Sequence, residues 1–104
     1  MSPEARVAFA WEAFARGDAL LAEGRAKEAW TAYTEGHDVV LDCPAMHLES
    51  HRRLRRANQA AGYWGEWLTD VALLLLAPFG VFELVAWREG RSGAAGCARG
   101  EVAG

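Results

Sequence analysis

Residues 42–62, DCPAMHLESHRRLRRANQAAG, decide the fold of this chain. A helix can begin at Pro44, because the first turn does not use the backbone N–H that proline lacks. It can end at Gly62, since glycine readily takes the left-handed conformation of a helix stop. The pattern therefore predicts a helix from about Pro44 to Ala61. Residues four apart lie along one face of a helix, and one face here carries His47, His51, Leu54, Asn58 and Ala61.

Two further helices precede this segment. Ser2 followed by Pro3 is a strong helix start, and Gly24 is a strong helix stop. A second helical pattern follows after almost no linker, so we expect the two helices to form an antiparallel hairpin. Apolar residues recur at helical spacing in both: Val7, Trp11, Phe14 and Leu21 in the first, and Ala26, Ala29, Trp30, Tyr33, His37 and Val40 in the second.

The segment after Gly62 is the most apolar part of the chain. Residues 67–77 are apolar nearly all round and stop at Pro78, which predicts a central, well-buried helix after a loop at residues 62–65. A short last helix is expected at 79–87. Residues 88–104 are mostly Gly, Ala, Ser and Arg without periodicity, and we expect a disordered tail there.

The 104 residues are enough for one domain with one modest core, which we place at residues 1–87. Strand-like alternation longer than a few residues is absent from the sequence. The sequence therefore predicts an all-α fold, a small bundle of antiparallel helical hairpins.

Charge and composition exclude several classes of protein. A formal net charge of −3 argues against a surface built wholly for nucleic acid or anionic membrane. Nucleic-acid binding and membrane association are therefore disfavoured. The one dense basic patch is interpreted as a solvated face with salt bridges to nearby acids, and no aromatic platform is evident opposite it. It consists of Arg52, Arg53, Arg55 and Arg56.

Cysteine content and the N-terminus favour a cytoplasmic protein. The two cysteines, Cys43 and Cys97, do not form a disulfide framework by their spacing, and a reducing compartment is the simpler expectation. The first residues are polar and open directly into a helical pattern, unlike a secretory signal.

The three histidines of the chain lie close together with Cys43 in the order His-x5-Cys-x3-His-x3-His, as His37, His47 and His51. Imidazole and thiolate are preferred ligands of borderline-soft metals, so this spacing predicts a transition-metal site, with zinc first and copper or nickel next. Cys43 would be an optional fourth ligand. Asp38, Asp42 and Glu49 are candidates to orient the rings. The competing interpretation makes His37 a core histidine bonded to a backbone carbonyl, with His47 and His51 on a polar face.

An enzymatic role for Cys43 is disfavoured, because a nucleophile needs a base, an orienting group and an oxyanion site, and no residue marks the last. The other class of function is an interaction module without metal. Five tryptophans are a large aromatic load for this length, and three of them flank the apolar run: Trp64, Trp67 and Trp87. We expect such a surface to bind a partner protein or a second copy of the chain.

The first hairpin resembles a tetratricopeptide repeat. Small and aromatic residues stand at the spacings of that motif, with a proline slightly late. These are Gly17, Leu20, Gly24, Ala29, Tyr33, Gly36 and Pro44. The resemblance implies a repeat-like bundle that binds other proteins.

Most of the chain also resembles a family of short bacterial all-helical proteins of unknown function. That family carries a His-x9-His-x3-His pattern, which His37, His47 and His51 match. The turn at residues 77–80, Ala-Pro-Phe-Gly, is also similar. The chain departs from the family after His37 and lacks its polar C-terminal motif. The resemblance implies importance for the histidines and no particular activity.

Overall fold

A computed structural model describes residues 1–89. This part of the chain contains five α-helices, one 3-10 turn and no strand, and the predicted all-α fold is confirmed. The helices are α1 (Pro3–Ala22), α2 (Ala26–Asp38), α3 (Pro44–Ala61), α4 (Trp64–Leu76) and α5 (Val81–Glu89), with the 3-10 turn at Ala77–Phe79.

The predicted helix boundaries hold at the capping residues. The Ser2 hydroxyl accepts a hydrogen bond from the backbone N–H of Ala5 at 3.1 Å and caps α1. Gly24 and Gly62 have φ values of +79° and +80°, which end α1 and α3 in the left-handed conformation. These turns fold α1 against α2 and α3 against α4.

Two glycines allow α1 and α2 to pack closely. A Cβ on Gly17 would lie 2.3 Å from Cε1 of Tyr33, and a Cβ on Gly36 would lie 2.7 Å from Cε1 of Phe14. The two rings therefore pack directly against the backbone of the opposite helix. They also contact each other edge-on, with 6.4 Å between centroids. The Tyr33 hydroxyl donates a hydrogen bond to Asp18 at 2.6 Å, so its polar end is satisfied.

The prediction that the apolar helix lies at the centre is wrong. The central helix is α3, which packs on α2, α4 and α5. Among the described α-helices, the only one on which α4 packs extensively is α3. Asp70 is the only buried residue of α4, and Leu68 and Leu75 are 62% and 69% exposed. A helix at the edge of a bundle buries one face only, so an apolar sequence there leaves apolar side chains in solvent.

Smaller differences lie at the C-terminal end. Trp64 and Gly65 belong to α4 rather than to a loop, and α5 reaches Glu89, two residues beyond the expected end of the domain. The predicted tail falls largely on residues 90–104, which lie outside the described residues. Within residues 1–89, no single helix is both long and apolar enough to cross a membrane; α4 with the 3-10 turn and α5 meets that test only as a pair bent by 92°.

Arg52 and Arg56 of the arginine patch are exposed as expected, but Arg53 is not. Arg53 packs over the rings of Phe14 and Trp11, 5.1 Å and 5.6 Å from their centroids, and forms salt bridges with Glu49 and Asp18. An aromatic platform therefore does exist, but α1 supplies it and the sequence near the patch does not show it. Arg53 helps hold α3 to α1.

Candidate metal centre

The three histidines converge between α2 and α3. His37 lies in the last turn of α2, and His47 and His51 lie one turn apart at the start of α3. Nε2 of His47 is 3.1 Å from Nε2 of His37 and 3.1 Å from Nε2 of His51. One ligand nitrogen from each residue lies within 4.8 Å of the other two. The sequence prediction that these rings come together is confirmed.

These separations are close to those in a metal site. Two nitrogens bound to a tetrahedral zinc ion at about 2.0–2.1 Å are roughly 3.3–3.4 Å apart. Both 3.1 Å contacts lie near that value. The widest separation, up to 4.8 Å, would have to shorten by about 1.4 Å to match a tetrahedral ion. A small movement of one ring is enough to complete the set.

Carboxylates fix the tautomers of the two outer rings. His51 donates from Nδ1 to Asp70 Oδ1 at 2.7 Å, and His37 donates from Nδ1 to Asp38 Oδ1 at 3.0 Å. An ionised carboxylate only accepts, so each ring carries its proton on Nδ1 and a lone pair on Nε2. Both lone pairs are then available at the point where the rings meet. This arrangement of carboxylate and imidazole is typical of histidine metal ligands.

Asp70 is part of a buried hydrogen-bonded network that sequence reasoning missed. Its second oxygen accepts a hydrogen bond from Nδ2 of Asn58 at 2.6 Å. Asp70, Asn58 and His51 are all buried. The signal in the sequence was a single acid inside the apolar run at residues 67–77, where a carboxylate is costly unless it is paired.

Burial favours the neutral form of two of the rings, His37 and His47. Desolvation, with the neighbouring rings of His37 and His51, lowers the pKa of His47 to about 3. Desolvation also lowers the pKa of His37, although the Asp38 carboxylate opposes that shift. Phe82 of α5 packs on His47 and His51, with ring centroids 4.8 Å and 5.7 Å away. Neutral imidazoles can coordinate a metal ion, whereas imidazolium cannot.

The remaining candidates from the sequence lie elsewhere. Cys43 caps α3 at its N-terminus and packs in the hydrophobic core at 1% exposure, and the converging group among the described residues consists of the histidines. Asp42 forms a salt bridge with Arg6 at 2.6 Å, and Glu49 pairs with arginines of its own helix. Of the three carboxylates proposed to orient the rings, Asp38 does so. Cys43 is disulfide-bonded, so the expectation that the cysteines form no disulfide is wrong for this residue, and it offers no free thiolate as a fourth ligand. Cys97, the other cysteine of that expectation, lies outside the described residues.

Comparison with known proteins gives no match: no family model, no curated protein and no solved structure is significantly similar to this chain. The tetratricopeptide and bacterial-family resemblances therefore stay predictions. The side chains of the candidate metal centre are therefore the features of this protein that point to a function.

Proposed function

We propose that this protein binds a transition-metal ion, with zinc the first choice and copper or nickel next, through His37, His47 and His51. The observation that carries the proposal is the convergence of the three Nε2 atoms, with 3.1 Å between neighbours. Three imidazoles are a common ligand set for a divalent ion of borderline softness.

The positions of the protons on the three imidazole rings favour a bound cation at the cluster over a cluster held together by hydrogen bonds alone. His37 and His51 both direct Nε2 lone pairs at His47, because their Nδ1 protons are donated to carboxylates. Nε2 of His47 carries at most one proton and cannot make two good hydrogen bonds with it. One of the two 3.1 Å contacts is therefore poorly satisfied without a cation. A bound ion accepts all three lone pairs at once.

The site joins elements that are separate in the chain. His37 comes from α2, the other two ligands from α3, and Asp70 of α4 supports His51. Metal binding would therefore be coupled to formation of the junction between α2 and α3. Buffering or sensing of a metal is the use that this coupling fits best.

The direct test is the metal content of the purified, tag-free protein by mass spectrometry, together with zinc titration. We expect near-stoichiometric zinc in the wild type and loss of it in His37→Ala and in the His47→Ala/His51→Ala double variant. Of these, His37→Ala disturbs the fold less, because the His37 side chain is 20% exposed and its removal leaves the two buried rings in place. Glu35→Ala, on the same helix and exposed, is the matched control and should keep the metal. A wild type that neither carries nor binds metal would refute the proposal.

A second candidate function is self-association through an apolar face, which requires no metal. We propose this face as the contact between two copies of the chain because α4, the 3-10 turn and α5 leave large apolar side chains in solvent. Phe79 is 85% exposed, Leu75 69% and Leu84 58%. Phe79 and Leu84 line one surface groove with Leu76, and an exposed apolar patch on a small protein marks an interaction surface.

Sedimentation of the full-length protein tests this surface. Phe79→Glu should shift the protein from dimer to monomer, because the charge would be desolvated at the contact. Thr31→Glu adds the same charge on exposed α2 and should leave the dimer intact. A wild type that stays monomeric at high concentration, with or without zinc, would exclude a homodimer.

A further inference from the structure

An open pocket reaches the histidine cluster from one side. It encloses about 290 Å³ and is bordered by α2, α3 and α4. His37 and His51 line it, and so do the polar side chains of Thr34, Glu66 and Thr69. Two of the three proposed ligands are therefore accessible from solvent through this opening.

The opposite side of the cluster is closed. Phe82 packs edge-on against His47, 4.8 Å between centroids, and does not line the pocket. His47 is 5% exposed. A small molecule that reaches the point where the rings meet must therefore enter between His37 and His51.

The carboxylates nearest the histidines are already occupied. Both oxygens of Asp70 accept hydrogen bonds, one from His51 and one from Asn58. Asp38 accepts the Nδ1 proton of His37. Among residues 1–89, the group that converges has three members and not four. Three protein ligands leave a tetrahedral ion with one free position, as in zinc sites that keep an exchangeable water.

We propose that the pocket leads to an open fourth coordination position, at which water or a small monoanion binds the metal ion. This inference rests on the proposed metal site. Thr34 beside the opening offers a hydroxyl group that can donate a hydrogen bond to such a ligand, whereas the Thr69 hydroxyl donates to the backbone carbonyl of Gly65 at 3.2 Å. The site would then be exchangeable and not a closed structural centre.

The test uses the full-length protein loaded with Co²⁺, whose visible absorption reports the number and type of its ligands, and sodium azide as the anion. We expect a saturable change of the cobalt spectrum on addition of azide. Thr34→Phe and Thr69→Phe narrow the pocket from α2 and from α4, and each should lose the azide-dependent change while still binding cobalt. Thr31→Phe, on α2 but not lining the pocket, should behave as the wild type.

The cobalt experiment distinguishes failure of the open coordination position from failure of the metal site itself. A cobalt spectrum that does not respond to azide would overturn the open position and leave the metal site standing. Azide binding unchanged in both phenylalanine variants would show that the pocket is not the route. Absence of any cobalt spectrum would refute the proposed function and this inference together.

Discussion

The carboxylate of Asp70 on α4 accepts a hydrogen bond from Nδ1 of His51 on α3 at 2.7 Å. Both side chains are buried, with 4% and 10% of their surface exposed. The bond fixes the orientation of the His51 ring and leaves its Nε2 free to coordinate. It also makes a residue outside the histidine motif part of the proposed centre.

We expect Asp70→Asn to reduce zinc affinity about 10- to 100-fold, the usual effect of removing a carboxylate that supports a ligating histidine. The helical fold should persist, because the amide oxygen still accepts from His51 and a rotated Asn58 amide, whose Oδ1 has no hydrogen-bond partner, can accept from the new N–H. Competition titration with a chromophoric chelator measures the affinity. Glu83→Gln removes the same charge from an exposed position on α5, outside the pocket beside the histidines, and serves as control. Equal affinities for wild type and Asp70→Asn would argue against this role.

Zinc should stabilise the fold. A ligand that binds only the native state, at about 100 times its Kd, adds about 2.7 kcal/mol to the free energy of unfolding. For a domain of this size, that corresponds to a rise in Tm of roughly 10–20 °C. Thermal unfolding followed by circular dichroism, with and without zinc, measures the shift, and chelator should reverse it. No shift is expected for His37→Ala, and a shift of equal size in that variant would place zinc elsewhere.

The metal-free protein should lose stability as the pH falls. In the unfolded chain a histidine titrates near 6.5, whereas the folded-state pKa of His47 is lowered to about 3 and that of His37 is also lowered. Below pH 6.5 the unfolded state therefore binds more protons than the native state. The stability contributed by the neutral rings is fully present above pH 6.5 and decreases as the pH falls towards 3.

Urea unfolding at about pH 7.5 and about pH 5, either side of the unfolded-state histidine pKa, tests this expectation. The wild-type midpoint should be lower at the acidic pH. His47→Gln, which cannot titrate, should show a smaller difference between the two conditions. A wild-type midpoint that does not change would mean that the rings are not desolvated as described.

Alanine substitutions at two helical glycines distinguish the effect of close packing on stability from the effect of helix propensity. Gly17→Ala should destabilise the protein by about 1–3 kcal/mol, because its Cβ would overlap the Tyr33 ring, which the Asp18 hydrogen bond holds in place. Gly65→Ala is the matched control: no atom lies within 4 Å of its Cβ, and alanine favours a helix, so a neutral or slightly stabilising effect is expected. Urea unfolding of both variants gives the comparison. Similar effects at the two positions would contradict the close packing of α1 on α2.

The local signals in the sequence were sufficient for most of the fold. Ser2, Pro3 and Pro44 mark helix starts, and Gly24 and Gly62 mark stops, because each effect depends only on neighbouring backbone groups. The meeting of His47 and His51 follows from their four-residue spacing on a helix. The approach of His37 required only a short connection between two helices.

Relationships across the fold were not predictable from spacing. The sequence does not show which helix is central, because an apolar segment can occupy either the centre or an edge of a bundle. The pairing of Asp70 with His51 joins residues 19 positions apart on different helices. Cys43 stands at a suitable spacing, but its position at the start of α3 directs it into the core.

The burial pattern of α4 has a consequence for how the helix is aligned. Leucines occur on several faces of α4, and Leu68, Leu75 and Leu76 lie in solvent, so apolar burial alone defines its rotation about the helix axis only weakly. Asp70 is the exception, because turning the helix by one residue would separate the carboxylate from both His51 and Asn58 and leave three buried polar groups unpaired. The hydrogen bonds of Asp70 thus fix the rotation of α4 about its own axis. The contact that orients His51 therefore also determines which leucines of α4 face solvent.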